Sequence, residues 1–337
     1  MLRPFASIGD AHGRSPRAAR SAPDPPPIRP LSTFRNGAPV FTGLSAFPLT
    51  PFVDDAVDET AYASLVERLA ATEVDSITAL GSTGSYAYLS PEERSRVARL
   101  AVAHAGATPV HVGVGALRTS HVLDNVRSAE AAGASGVLLA PMTYQPLTDD
   151  DVFELFAAVA GATQLPIIVY DNPGTTHFAF TTELYGRIAQ LPGIASVKIP
   201  ALPADATAAA DRMARIRAVL PEHVTVGISG DAFAAAGLAA GCDAWYSVTA
   251  GTLPQTALRI LRAARSGDPG AGIRESEALH PLWRLFSTMS GSLRVVAAIA
   301  EHLGLVRRGS LPLPILGLTE AQRAEVAQVA DDLGLVS

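Results

Sequence analysis

Eight times between residues 40 and 265 an apolar run of about five to eight residues gives way to a stretch with apolar residues at helical spacing. The runs are 40–47, 76–80, 109–114, 136–140, 166–170, 195–199, 223–228 and 244–248. The stretches that follow them are 58–71, 90–105, 120–132, 148–160, 181–190, 204–220, 231–239 and 253–265. Two of these carry start signals: Ser90-Pro-Glu-Glu93 is a capping box with proline at the first helical position, and Thr148-Asp-Asp-Asp151 opens another. Unbroken apolar runs suit strands covered on both faces, and strand–helix alternation implies a parallel sheet. Eight repeats fit a closed (β/α)8 TIM barrel of the α/β class better than an open doubly wound sheet, although the period alone does not show closure.

The barrel is expected over 38–268. Beyond it, periodic stretches at 273–289, 293–302 and 319–333 have no strands between them, so 269–337 reads as a C-terminal helical region. Residues 1–37 stand apart. They include Asp24-Pro-Pro-Pro-Ile-Arg-Pro30 and six arginines, with no periodicity and no apolar segment of a secretory leader. Asp10 and Asp24 argue against a transit peptide, and a disordered extension is expected there.

Composition narrows the function. The net charge of −6 gives no electrostatic case for nucleic acid or an anionic membrane. No apolar run approaches the ~20 residues that span a bilayer, and a cytoplasmic protein is expected. A single cysteine, Cys242, excludes an intrachain disulfide and CxxC metal sites. The eight histidines show no HExxH spacing, and no GxGxxG follows a strand, so neither metal nor organic cofactor is called for.

Lys198 is the only lysine; the other 25 of the 26 basic residues are arginine. Arginine keeps its proton in a protein, whereas a desolvated lysine gives its proton up and becomes a nucleophile. Lys198 lies near the C-terminal end of the sixth run, where barrel enzymes place their chemistry. A strand-end lysine paired with a carboxylate, or one snorkelling to water, is the alternative that the residue alone leaves open.

The loops after the strands are the next candidates. Gly81-Ser-Thr-Gly-Ser85 offers two glycines, two hydroxyls beside turn amides, and room for a small carboxylate or phosphate, though a plain glycine-rich turn has the same pattern. Tyr170 ends the fifth run, one strand from Lys198, either as a packed aromatic or as a proton carrier. Ala140-Pro-Met-Thr-Tyr-Gln-Pro146, Ser229-Gly-Asp231 and Trp245-Tyr-Ser-Val-Thr-Ala-Gly251 put further polar residues at the same end.

Taken in order, these segments resemble the dihydrodipicolinate synthase / N-acetylneuraminate lyase family of pyruvate-dependent class I aldolases. The family's Gly-Ser/Thr-Thr-Gly-Glu loop is similar to 81–85, and its Tyr-Asn-x-Pro turn is similar to 170–173. Its strand-six lysine falls on Lys198, and its Ser-Gly-Asp and Ser-Val-Thr/Ser segments fall on 229–231 and 247–249. The resemblance implies that Lys198 forms an imine with pyruvate and that Tyr170 moves protons, with Ser82 as its relay. It further implies that Gly81 and Thr83 hold the pyruvate carboxylate, that the backbone at Tyr246 contacts the same ligand, and that the protein is a homotetramer, a dimer of dimers.

Four positions depart from the family. Ser85 stands for its glutamate, and Asp171 for the asparagine after the tyrosine. Pro141-Met-Thr-Tyr144 replaces Pro-Tyr-Tyr, which puts Thr143 where the synthases place a relay tyrosine from a neighbouring subunit. Thr175 holds the place of the synthases' acceptor-binding arginine, and no arginine occurs between Arg127 and Arg187. The expected reaction is reversible aldol cleavage between pyruvate and an aldehyde. A dehydratase of deoxy-sugar acids, the synthase proper and a non-catalytic binding barrel are the alternatives. The altered positions point to an acceptor with an uncharged tail.

Overall fold

The computed structural model describes residues 34–35, 38–39, 41–268 and 270–335. The extension expected over 1–37 falls outside these residues apart from Phe34 and Arg35, which pair antiparallel with Ala38–Pro39. Eight strands follow: β1 Gly43–Ala46, β2 Ser76–Ala79, β3 Val110–Gly113, β4 Gly136–Leu139, β5 Ile167–Tyr170, β6 Ile194–Ile199, β7 Thr225–Ile228 and β8 Ala244–Ser247. All eight pair in parallel with their sequence neighbours, and β8 pairs with β1, so the sheet closes into a barrel. The closed barrel is the (β/α)8 architecture read from the sequence, and closure leaves no sheet edge unpaired.

The helices between them are α1 Glu59–Ala70, α2 Pro91–His104, α3 Thr119–Ala132, α4 Asp149–Ala160, α5 Thr182–Ala189, α6 Ala206–Val219, α7 Ala234–Ala239 and α8 Pro254–Ala264. Ser90 and Thr148 each complete a capping box, with Glu93 and Asp151 respectively. At the seventh connection the sequence suggests a helix from 231. Instead, a 3-10 turn, Asp231–Phe233, precedes α7, because the Asp231 carboxylate is committed to β8 and the residues after it. Short helices at Pro173–Thr176 and Val248–Thr252, and a small hairpin of Phe52–Val53 with Ala56–Val57, were not legible as periodic runs.

The helical region contains α9 Ala271–Ala278, α10 His280–Thr288, α11 Ser292–His302 and α12 Glu320–Asp332. The single stretch expected over 273–289 is two helices. Pro281, with no N–H to donate, occupies the first turn of α10 rather than the interior of a longer helix. Val296, Ala297 and Ala300 of α11 pack with Leu49 and Leu65, tying this region to the barrel. No helix among the described residues is long and apolar enough to cross a membrane.

Most of the core lies between the strands and their helices. A second cluster fills the barrel itself, made of Phe41, Phe47, Leu138, Ala140, Ile168, Tyr170, Ala244 and Tyr246. Low in the barrel, burial pushes His111 down to about 4, so it is neutral there, against Phe41 and the Thr78 hydroxyl.

Candidate active site

Residues on β5, β6 and β7 share one level because parallel pairing puts Lys198 directly opposite Tyr170 on one side and Gly227 on the other. Alternation along β6 then turns Ser196 and Lys198 the same way. Gly227 has a steric purpose. A Cβ there would come within 2.2 Å of the Tyr246 ring, so the missing side chain is what admits that ring beside the lysine.

The Lys198 side chain is 2% exposed. Its Nζ lies 4.0 Å from the ring centre of Phe47, 4.1 Å from that of Tyr170 and 5.7 Å from that of Tyr246. Burial lowers its pKa from 10.5 to about 7, and the negative charge of Asp231 opposes that fall. No carboxylate forms an ion pair with it among the described residues. Near neutral pH, therefore, part of this amine is unprotonated and able to attack a carbonyl carbon.

The Tyr170 hydroxyl has two partners. The Asn172 amide donates to it at 2.7 Å, and the Ser82 hydroxyl lies at 3.4 Å. Burial raises its pKa, while these two bonds lower it. Ser82 reaches it from the loop after β2, where Leu80 has φ 56 and Ser85 φ 54. Gly81 presses against Phe47 so closely that a Cβ would sit 2.5 Å from its ring. Thr83 is buried, and no hydrogen bond engages its hydroxyl among the described residues.

Asp231, just past β7, is 4% exposed and accepts four hydrogen bonds. Trp245 Nε1 and the Ser247 hydroxyl donate to Oδ1 at 2.9 and 2.8 Å. The Thr249 amide and hydroxyl donate to Oδ2 at 2.9 and 3.0 Å. Burial raises the pKa of Asp231, and these four bonds oppose the rise by favouring the charged form. Asp171, in the turn after β5, accepts from the Tyr185 hydroxyl of α5, and its amide donates to the Lys198 carbonyl at 3.0 Å. Burial raises its carboxyl to about 6.

Lys198, Tyr170, Ser82, Gly81, Thr83 and Tyr246 are thus gathered at the C-terminal end of the barrel. The Tyr246 hydroxyl is bonded to Ser196 at 2.7 Å. Thr175 is exposed on the short helix after β5 and accepts from Asn172 at 3.0 Å. Thr143 lies in the loop after β4, half-buried, and makes no hydrogen bond to Tyr170 or Ser82; its neighbour Tyr144 is 87% exposed. The sequence reading did not single out Phe47, Asn172 or Asp231 as site residues. Phe47 looked like the end of an apolar run, but the position of Asn172 two residues after a strand-ending tyrosine was a usable signal.

A barrel whose mouth holds a desolvated, partly neutral lysine in register with a tyrosine is built for the chemistry of a class I aldolase. A profile of the dihydrodipicolinate synthetase family matches residues 40–333. The 4-hydroxy-tetrahydrodipicolinate synthase of Phenylobacterium zucineum is 33% identical over 301 residues, covering 88% of this chain and 99% of that protein. Among solved structures, dihydrodipicolinate synthase of Agrobacterium tumefaciens superposes with a TM-score of 0.83 at 45% identity, over 87% of this chain and 98% of that one. The pyruvate complex of the Acinetobacter baumannii enzyme gives 0.78 at 25% identity, over 88% and 100%. The chain belongs to the dihydrodipicolinate synthetase family, and with it to the pyruvate-dependent class I aldolases, which are lyases.

Proposed function

We propose that Lys198 forms an imine with pyruvate and that the enzyme makes or breaks a C–C bond between pyruvate and an aldehyde. The observation that carries this reading is the buried amine, lowered to about 7, opposite Tyr170. The neutral amine adds to the C2 carbonyl, and water leaves the carbinolamine to give the iminium. Loss of a C3 proton yields an enamine, which attacks the aldehyde carbon; the reverse sequence cleaves a 4-hydroxy-2-oxo acid. Tyr170 moves the protons, with Ser82 as its relay. The Gly81–Thr83 turn receives the pyruvate carboxylate, and the backbone at Tyr246 lines the same ligand. Thr143 joins the relay across a subunit boundary in a cytoplasmic homotetramer, the assembly to which the resemblance points.

For the acceptor, Thr175 offers a hydroxyl where a carboxylate-binding arginine would give a charged, two-pronged contact worth roughly 1.5–3 kcal/mol. An aldehyde with an uncharged tail is the preferred partner. The relatives' name, 4-hydroxy-tetrahydrodipicolinate synthase, favours a second reading, the synthase proper, for which the resemblance implies condensation with aspartate semialdehyde. The two are separated by kcat/KM for that condensation against retro-aldol cleavage of a panel of 4-hydroxy-2-oxo acids.

The imine is tested by borohydride reduction with pyruvate and intact mass. One reduced adduct is expected in the native enzyme and none in Lys198→Arg. An adduct of equal yield in the variant would overturn the assignment, since the N-terminal amine is the one other primary amine in the chain.

A further inference from the structure

Asn172 begins the short helix Pro173–Thr176 and is held there by its main chain. Its carbonyl accepts from the amides of Thr175 and Thr176, each at 2.9 Å, and from the Thr176 hydroxyl at 3.0 Å. With the backbone fixed, the side chain turns back over the strand end. Its Nδ2 donates to the Tyr170 hydroxyl at 2.7 Å and to the Thr175 hydroxyl at 3.0 Å. An amide nitrogen carries two hydrogens and accepts nothing, so these two bonds use its full capacity.

We propose that Asn172 is a positioning residue that fixes the Tyr170 hydroxyl as a hydrogen-bond acceptor and ties it to the acceptor-side loop at Thr175. The inference rests on the reading of Tyr170 as the proton carrier. With its oxygen accepting from Asn172, the hydroxyl keeps its own hydrogen for Ser82 or for a ligand in the mouth. When that hydrogen leaves, the amide still points at the oxygen that has gained charge, and a donor stabilises the phenolate over the phenol. Asn172 has no labile proton to pass on. Its contribution is therefore to the orientation and acidity of the tyrosine, while the proton itself travels by Ser82.

The test uses pyruvate alone. In D2O the enzyme exchanges the C3 hydrogens of pyruvate through the enamine, which reports proton transfer, while borohydride trapping reports the imine and shows that each variant is folded. For Asn172→Ala and the similarly sized Asn172→Leu, which remove the donor without adding charge, adduct yield should match the native enzyme. Exchange should slow about ten- to a hundredfold, and its rise with pH should move up by about one to two units, the effect of losing one donor to a charged oxygen. Thr175→Val, which cuts the other bond of the same amide, should leave the pH profile in place. An unchanged profile in both Asn172 variants would overturn the proposal. So would a Thr175→Val enzyme that reproduces the shift, because Asn172 would then act by holding the loop. Absence of adduct and of exchange in the native enzyme would instead remove the aldolase reading, and this inference with it.

Discussion

Replacing Lys198 with methionine should make the protein more stable while removing its chemistry. In the unfolded chain the amine has the ordinary pKa of 10.5, and in the fold it has a value of about 7. Between those values the unfolded state holds a proton that the folded state has released, so stability rises as pH climbs from 7 to 10.5. Below 7 both states are protonated and the fold carries the whole cost of a buried ammonium. At about 1.4 kcal/mol per unit, that cost is about 5 kcal/mol. The faces of Phe47 and Tyr170 near Nζ attract the ammonium through cation–π contact but do not overcome desolvation. Methionine has a similar length, no charge and a good fit to an irregular apolar site. The expected gain is about 5 kcal/mol at pH 6, shrinking toward zero near pH 10.5. Urea midpoints of both proteins at pH 6, 8 and 10, followed by circular dichroism, measure it. A variant less stable than the native protein at pH 6, or a difference that stays constant with pH, would refute the reasoning.

Tyr170→Phe deletes only the hydroxyl; the reduced pyruvate adduct should persist while turnover falls about 10²–10⁴-fold, measured as kcat. Asp231→Asn puts an NH2 group against buried donors, so thermal or urea unfolding should show a loss of about 3–5 kcal/mol. The same change removes a negative charge near Lys198, and the pH at which adduct formation half-saturates should move down. Gly113→Ala would place a Cβ 1.8 Å from the Leu80 carbonyl oxygen, displacing the end of β2. More pyruvate should then be needed for half-maximal adduct, measured by titration, with the circular dichroism spectrum retained.

The barrel was legible because its strands are apolar on both faces and its helices keep a 3.6-residue period. Neither signal depends on distant partners. Closure was not, since it is settled by the pairing of Tyr246 with Ser45 and its neighbours, a contact across some two hundred positions. The same division holds in the site. Lys198 and Tyr170 announce themselves as polar groups at the ends of apolar runs. Asn172 was marked only by its place two residues after Tyr170, its contact appearing when the side chain folds back, and Asp231 acquires meaning only when β7 and β8 lie side by side. Pro281 could have been read as a break, because its missing N–H is a local fact.

The bond from Trp245 to Asp231 gives the site a voice of its own. The chain has two tryptophans, and the indole of Trp245 donates to the carboxylate whose field reaches Lys198. The other, Trp283, is bonded to the carbonyl and hydroxyl of Ser276, on the neighbouring helix α9. Under the proposed mechanism pyruvate leaves a fixed positive charge at the lysine nitrogen, and the emission of an indole shifts with charge near its ring. Adding pyruvate is therefore expected to shift the emission of Trp245, whereas that of Trp283, bonded to Ser276 in the helical region, is expected to hold steady.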